Sequence, residues 1–334
     1  MFARSVGTGI GAGLVSALLF AVVATGSAPG VLLSYVAPLP IIIAALGWGR
    51  LVGLLATAAG GLALCLFLNS AIGLAFSLGA ALPAWCLCVL AGSGAPPAAP
   101  APGRSLTLPL GHLLLAAALL ASAMVVAGAV AVGGGEHDVY EGTLARFAEA
   151  FLRVYSNTAR DAPLPDIGGV PAASFVSLVT AVTPAVIGSV LTVVLVANLW
   201  VGGRIVAVSG RLPGSWVPTW RARMPVSTAG LLLLAFALCF GSGFVGLAGR
   251  GLAGAVLTAL ALQGFALLHA VTRGRSSRGL VLGFAYTLAV VASGPFLPLM
   301  IAAGLADVVL PIRRHLARAA IPPGPNGPSS PSNS

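Results

Sequence analysis

Charged side chains are scarce in this sequence. Only 7% of its 334 residues are charged, lysine is absent, and seven acidic residues stand beside seventeen arginines, whereas 58% of the residues are hydrophobic. Apolar runs recur from Val6 to Leu310, and a water-soluble core needs no runs of this length. The composition therefore excludes a soluble globular domain. It predicts an all-α fold, a polytopic transmembrane helical bundle of about 8 to 10 spans in a lipid bilayer.

Side chains for metal or nucleophilic chemistry are also few. The cysteines all lie within apolar runs, none stands near a histidine at a metal-ligand spacing, and no histidine pair has the spacing of a zinc hydrolase. The arginines lie mostly in short loops, which indicates orientation in a membrane rather than a nucleic-acid-binding face. We therefore expect no enzyme activity, metal, cofactor or nucleic-acid partner. The early glycines follow no strand, so they predict close helix packing through pairs such as Gly7 and Gly11 rather than a phosphate-binding loop.

The apolar runs define the predicted spans. Eight are clear, at residues 6–28, 31–48, 51–68, 71–91, 106–132, 175–201, 227–248 and 251–271. The last run, 280–310, would form one helix of roughly 46 Å, longer than a hydrocarbon core of about 30 Å. Because Gly294 and Pro295 interrupt it, we interpret it as two short helices, 280–293 and 296–310, which form a transmembrane or a re-entrant hairpin.

The arginines predict the orientation. If the last run is a hairpin, nearly all short arginine-rich loops fall on one side together with the basic tail. The sequence therefore predicts a multi-pass protein of the bacterial cytoplasmic (inner) membrane with both termini in the cytoplasm. We divide the chain into a four-span half (1–92), an Ala/Pro-rich cytoplasmic linker (93–105), a C-terminal membrane region (106–310) and a basic, then disordered tail (311–334).

Two segments outside the spans are distinctive. Residues 133–169 contain six of the seven acidic residues and predict an amphipathic outer helix with one apolar face, formed by Tyr140, Leu144, Phe147, Phe151 and Tyr155. This helix either covers the ends of the bundle or forms a lid over a binding cavity. The inner loop pairs Trp216 and Trp220 with arginines, which indicates interfacial anchoring or a docking surface for a cytoplasmic partner.

Polar side chains inside the spans are the candidate site residues: Asn198, Gln263, His269, Tyr286 and Asp307. Gln263 needs a hydrogen-bond partner, from another helix or from a ligand. Asp307 lies near the end of its helix, so it either pairs with Arg313 or Arg314 as an anchor, or serves as a ligand or proton site.

Prolines break the predicted helices at two places. Pro38 and Pro40 interrupt the second span, and Pro295 and Pro298 interrupt the last. The backbone carbonyls that such breaks free must be satisfied inside the membrane. The breaks therefore indicate structural kinks or the lining of a transport site.

Several motifs resemble a known family. The segments LQGFALLHAV (263 and 269), FAYTLAV (286), the Pro-interrupted hairpin and GLADVVLPIRR (304, 307, 313), with the early APLPIIIAALGWG, are similar to the YybS-like predicted membrane proteins. That family resembles, distantly, the membrane-embedded substrate-binding subunits of energy-coupling-factor transporters. The resemblance implies a transport-related protein that binds a small solute between its helices and contacts a coupling or energising subunit through small residues such as Ala17 and Ala21. The alternative is a scaffold or assembly factor that docks a cytoplasmic or lipid partner.

Overall fold

The computed structural model describes residues 2–92, 109–159, 162–166, 168–212, 218–310 and 312–313. The predicted linker at 93–105 and Trp216 lie outside these residues, as does the predicted tail apart from positions 312 and 313. Within the described ranges the chain is helical and contains no strand. The helices are α1 (Phe2–Ala21), α2 (Ala28–Val36), α3 (Pro38–Trp48), α4 (Arg50–Phe67), α5 (Ser70–Phe76), α6 (Leu82–Ala91), α7 (Leu110–Gly133), α8 (His137–Tyr155), α9 (Ala172–Val208), α10 (Ser227–Cys239), α11 (Gly243–Val271), α12 (Arg278–Val291) and α13 (Ser293–Val309).

Seven helical stretches in the described part of the chain are long and apolar enough to cross a membrane. Two of them are composite, since α2 and α3 form one stretch (Ala28–Trp48), and a π-helical turn joins α5 to α6 (Ser70–Ala91). The helices α10, α12 and α13 are apolar but shorter. This architecture confirms the predicted all-α polytopic bundle.

The two larger cores of the described residues share α3, which contributes Ile41 to one and Ile42 to the other. The N-terminal core packs α1, α3, α4 and α5 around Ile41, Ala56 and Phe76. In the C-terminal core, α11 contacts α7, α9, α10 and α13 and is the most buried of the long helices. Its small residues permit this contact, because a Cβ at Gly254 would overlap the backbone of Ala185 on α9. Since α9 packs on both α3 and α11, it joins the two halves.

Charge separates the two ends of the bundle. We call one the acidic end. It comprises the C-terminus of α7, the whole of α8 and the N-termini of α9 and α11, and contacts such as that of the His137 ring with the Phe244 ring, 5.4 Å between centroids, hold it together. The opposite, basic end carries the arginines that flank the other helix termini. There Arg211 stacks on Trp48 with its guanidinium carbon 4.3 Å from the ring centroid.

The boundaries of three predicted spans are wrong. The predicted span 175–201 is part of α9, whose 37 residues correspond to about 55 Å, so this helix extends beyond a hydrocarbon core of about 30 Å. The predicted break between 248 and 251 is also displaced, because α10 ends at Cys239 and α11 begins at Gly243. Gly243 has a positive φ of 60°, which suits a tight turn. Arg250 consequently lies on a helix and not in a loop.

The buried face of α8 differs from the predicted one. Leu152 and Ala148 are fully buried with Tyr140, whereas Phe147 is 71% and Tyr155 is 75% exposed. The helix therefore packs along a row of residues spaced four apart. Residues four apart are displaced by about 40° around the helix, so the row that they form winds around the helix axis. A helix that crosses its neighbours at an angle buries such a row, whereas a parallel helix would bury a face that runs along its axis.

The face of α1 that packs inside the chain also differs from the expectation. Gly9 and Gly13 lie against α4, whereas Gly7 and Gly11 face open space. Ala17 is only 4% exposed and belongs to the N-terminal core, with the partly buried Ala21 packed against the same core. The expectation that Ala17 and Ala21 form a surface for a partner helix is therefore wrong, because the chain's own helices occupy this position.

Candidate functional site

The acidic end contains a cavity of about 710 Å³ between α8, α9 and α11. This volume is within the range of small-molecule sites. One wall is the polar face of α8, a second is the N-terminal part of α9, and Arg250 reaches in from α11. The lining residues are Asp138, Glu141, Gly142, Ala145, Glu149, Leu164, Ala173, Val176, Ser177, Thr180, Ala181 and Arg250.

The local sequence explains why these helices frame a cavity. Gly142 and Ala145 on α8 and Ala173 and Ala181 on α9 are small, so the facing surfaces leave space between the two helices. Asp166 accepts a hydrogen bond from the backbone amide of Ala172 at 3.3 Å, which supports the start of α9. The first turns of α9 lie beside α8, where the two helices face each other across the cavity.

The cavity is lined by opposite charges in unequal number. Asp138, Glu141 and Glu149 supply three carboxylates, and Arg250 supplies one guanidinium group. Arg250 also donates a hydrogen bond from Nε to the backbone oxygen of Gly246 at 3.3 Å. Among the described residues, Arg250 forms no salt bridge, so its charge remains available to the cavity.

Tyr140 lies behind this wall. Burial raises the pKa of the Tyr140 phenol above its ordinary value, and the positive charge of Arg250 opposes part of that rise. The phenol therefore stays neutral at physiological pH. The charges that face the cavity are those of the three carboxylates and Arg250.

This arrangement is suited to binding by charge. The lining has no histidine or cysteine, and the described residues form no group of three or more ligands with metal-site geometry. Carboxylates pair with ammonium groups and guanidinium groups pair with acidic groups, so the two walls offer partners of both kinds. The hydroxyls of Ser177 and Thr180 are also present on the α9 wall, although Thr180 donates to the backbone oxygen of Val176 at 2.9 Å.

The five polar residues predicted within the spans do not form one site. Asn198 on α9 donates from Nδ2 to the backbone oxygens of Tyr35 and Val194, each at 2.8 Å. The first of these bonds crosses to the helix that Pro38 interrupts. Asn198 thus joins α9 to α2 and lies apart from the other four.

Pro38 is buried and Pro40 is partly buried in the N-terminal half. The break falls at Ala37, between α2 and α3. Ser16 on α1 donates to the carbonyl of Ala37, and Asn198 donates to that of Tyr35. Side chains of the chain itself therefore satisfy these two carbonyls, as a kink within a membrane requires.

The second break is a turn between two short helices, as the sequence predicts. The chain turns at Ala292, so Pro295 lies in the first turn of α13, where a missing amide hydrogen costs no helical hydrogen bond. Pro295 and Pro298 are both exposed. The interpretation that this break lines a transport site stays a prediction.

Gln263 and Asp307 do meet, at the basic end. Gln263 on α11 donates from Nε2 to Asp307 Oδ2 on α13 and to the backbone oxygen of Ala222, the latter at 3.2 Å. Arg313 donates from Nε to Asp307 Oδ1 at 2.9 Å and from Nη2 to Oδ2 at 2.7 Å. A third bond runs from Arg313 Nη1 to the backbone oxygen of Trp220. The carboxylate thus holds α11, α13 and the loop around Trp220 together.

His269 and Tyr286 form the remaining group, between α11 and α12. The Tyr286 hydroxyl lies 3.0 Å from His269 Nε2, and Arg278 Nη2 donates to His269 Nδ1 at 3.3 Å. Because arginine is only a donor, Nδ1 must accept, which places the ring proton on Nε2. The ring of Tyr286 also stacks on Phe265. These contacts attach α12, which has few others, to the bundle.

Sequence reasoning did not identify the cavity residues. It recognised the acidic segment and left open whether this segment covers the ends of the bundle or forms a lid. It did not select Asp138, Glu141 or Glu149 as site residues, and it placed Arg250 in a loop. A usable signal was the position of Arg250 in an otherwise apolar run that faces the acidic segment. The α9 wall has no such signal, because serine and threonine occur at many positions in the spans.

Comparison with known families is consistent with this architecture. The family described as predicted membrane protein (DUF2232) matches residues 14–308, which covers most of the chain. The chain belongs to this family. No curated protein and no solved structure matches it. Membership in the family therefore supports a membrane protein and assigns neither a ligand nor a reaction.

Proposed function

We propose that this protein is a transport-related membrane protein that binds a small zwitterionic or cationic solute in the cavity at the acidic end. The observation that carries the proposal is the cavity itself, with three carboxylates and one unpaired guanidinium group around about 710 Å³. In this proposal α8 acts as the cover of the site. The resemblance to solute-binding transporter subunits supports the same function.

The proposed orientation places the cavity outside the cell. The arginines gather at the basic end, and positive charge favours the cytoplasmic side of a membrane. In a bacterial cytoplasmic membrane both chain termini would then be cytoplasmic, and the cavity would sample the external solution. Such a site would capture solute before it crosses the membrane.

The energy source belongs to the same proposal. The sequence contains no phosphate-binding loop, so active transport would require an ion gradient or a separate energising subunit. Ala17 and Ala21 do not form the contact with such a subunit, since they pack inside the chain. Any coupling surface must therefore lie elsewhere.

The test is to identify small molecules that stay bound during purification. Wild-type protein in lipid nanodiscs is denatured, and the released molecules are measured by mass spectrometry. The test variant Glu141→Gln/Glu149→Gln and the control variant Glu136→Gln are treated in the same way. Glu136 belongs to the same end but does not line the cavity. We expect the double variant to retain at least about tenfold less ligand, because the variant loses two of the three carboxylates, and close charge pairs with a bound solute contribute about 1.4 kcal/mol or more.

Two results contradict the proposal. One is the absence of any retained solute from wild-type protein together with no thermal shift on addition of amino acids or polyamines. The other is retention that the cavity variants leave unchanged.

A docking scaffold is the second candidate function. The exposed arginines and Trp220 at the basic end favour it, since such a surface suits an anionic partner. Co-purification of a specific protein without a small solute, lost on substitution of these arginines, would support the scaffold over the solute-binding protein.

A further inference from the structure

Several arginines surround Trp220 at the basic end. The guanidinium carbon of Arg273 lies 4.2 Å from the centroid of the Trp220 ring, and that of Arg221 lies 5.1 Å from it. The two positive groups are thus held less than about 10 Å apart, at a distance where like charges repel. Arg313 donates to the Trp220 carbonyl, and Arg223 donates to the carbonyl of Leu310 at 3.5 Å. We call Trp220, Arg221, Arg223 and Arg273 the Trp220 cluster.

No acidic side chain in the described part of the chain neutralises this cluster. Five of the six described acidic residues lie between positions 136 and 166, at the other end of the bundle, and the sixth is Asp307. Asp307 is buried and pairs with Arg313. Among the described residues, Arg221, Arg223 and Arg273 form no salt bridge with a carboxylate, so their charges can pair with an anion from outside.

The position of the cluster indicates what kind of anion this is. Trp220 belongs to the loop between α9 and α10, and Arg273 follows the last turn of α11, so both mark the level where apolar helices end. Tryptophan and arginine at this level are typical of the headgroup region. Exposed apolar side chains lie next to the cluster. Leu310, whose carbonyl accepts the bond from Arg223, is exposed, and so is Val226, which directly precedes α10. A ligand here meets positive charge and an apolar surface together.

We propose that the Trp220 cluster binds the phosphate headgroup of an anionic phospholipid. The headgroup contacts the guanidinium groups of Arg221 and Arg273, which the Trp220 ring orients, and the acyl chains lie along the exposed surface beside Leu310. Stacking limits the movement of the two guanidinium groups, so less conformational entropy is lost when the phosphate binds. This inference does not depend on a solute site at the acidic end.

The test compares lipid retention by matched variants. Wild-type protein is reconstituted in nanodiscs of phosphatidylcholine mixed with phosphatidylglycerol, extracted, and analysed by native mass spectrometry for bound lipid. The test variant is Arg221→Gln/Arg273→Gln. The control is Arg50→Gln/Arg204→Gln, which removes the same charge from two exposed arginines away from Trp220. Circular dichroism and thermal unfolding in pure phosphatidylcholine check that each variant folds.

We expect wild-type protein and the control to retain phosphatidylglycerol over phosphatidylcholine. The test variant should retain about thirtyfold less phosphatidylglycerol, which corresponds to about 2 kcal/mol for the loss of two arginines near an anionic surface. Equal losses of phosphatidylglycerol in the two double variants would show a general electrostatic attraction instead of a specific site, and would overturn the proposal. Unchanged retention of phosphatidylglycerol in the test variant would also overturn the proposal. The proposal is overturned in the same way if retention is unchanged and an acidic peptide binds the cluster in pure phosphatidylcholine.

A second variant covers the case in which the double variant does not fold. Arg273→Lys keeps the charge and removes the planar guanidinium group from the Trp220 ring. Reduced retention of phosphatidylglycerol in Arg273→Lys supports an oriented site. Retention equal to that of wild-type protein contradicts it.

Discussion

A single buried carboxylate organises the basic end of this protein. Asp307 accepts hydrogen bonds from Gln263 on one helix and from Arg313 beyond the end of its own helix. The Asp307 side chain is 1% exposed and that of Arg313 is 19% exposed. An ion pair in such a place is expensive to break, because the partner that remains is a buried charge without compensation.

The first prediction concerns this pair. Arg313→Ala should lower the free energy of unfolding by about 3 kcal/mol, and by more than Asp307→Asn does, because Asp307 is the more buried partner. The variant with both changes should lose less than the sum of the two single losses. Denaturant unfolding in detergent measures all three, and Arg204→Ala, at an exposed arginine, is the control with a change under about 0.5 kcal/mol. Strictly additive losses would mean that the two side chains are not coupled.

The second prediction concerns a close approach between helices. A Cβ at Gly304 on α13 would overlap the carbonyl oxygen of Leu260 on α11, whereas one at Gly283 on α12 meets nothing within 4 Å. Gly304→Ala should therefore destabilise the protein by about 1 to 3 kcal/mol as the two helices move apart. Gly283→Ala should be neutral or slightly stabilising, because alanine favours a helix. Thermal unfolding compares the two, and equal melting temperatures would contradict the packing described for α11 and α13.

At the scale of elements, α8 shows how one helix serves two surfaces. Its row of Tyr140, Ala148 and Leu152 packs on the bundle, while Glu141 and Glu149 line the cavity. A third face carries Phe147 and the exposed aromatic rings that follow it. The position of α8 therefore depends on how its few buried residues pack against the bundle.

The third prediction separates the packed face of α8 from the exposed one. Leu152→Ala should remove packing worth about 2 to 5 kcal/mol and so accelerate hydrogen exchange of the amides in 137–155. Phe147→Ala removes a larger side chain, but one that makes little contact within the chain, and should leave that exchange nearly unchanged. Mass-spectrometric hydrogen exchange on protein in nanodiscs provides the measurement. Faster exchange in Phe147→Ala than in Leu152→Ala would mean that α8 packs through the face that contains Phe147, as the sequence pattern predicted.

At the scale of the whole molecule, the separation of charge between the two ends is the main feature. The acidic end holds a cavity with a surplus of carboxylates, and the basic end holds the Trp220 cluster and the ion pair of Asp307. The apolar helices between them carry few charges. This separation predicts that the basic end faces the cytoplasm.

The fourth prediction concerns that orientation. A reporter inserted after Gly274, between α11 and α12, should behave as cytoplasmic, and so should one fused after Ser334. A reporter after Gly168, between α8 and α9, should behave as external. Alkaline phosphatase and a fluorescent protein, which are active on opposite sides of the membrane, provide complementary measurements. The same side for all three positions would contradict the proposed topology.

The sequence predicted much of the fold because its signals are local. Apolar runs and their lengths predicted the helical membrane class, and Gly294 with Pro295 predicted a turn that the structure has at Ala292. The predicted boundaries near Arg250 and at both ends of α9 were wrong, since an arginine near the end of a long helix does not by itself end it. Periodicity on α8 predicted a helix but selected the wrong face, because the crossing angle depends on neighbours.

For the candidate sites, the sequence by itself determined which polar groups must find partners and at which end the charges gather. It selected Gln263 and Asp307, and a buried amide and a buried carboxylate each require a hydrogen-bonding group nearby. Only the tertiary structure decided that these two meet each other, that Asn198 meets a backbone carbonyl of α2, and that Arg250 faces the acids of α8. The physical reason is that each of these contacts joins residues far apart in the chain, and their approach depends on how the helices pack and cross, which the spacing of residues along any one helix does not encode.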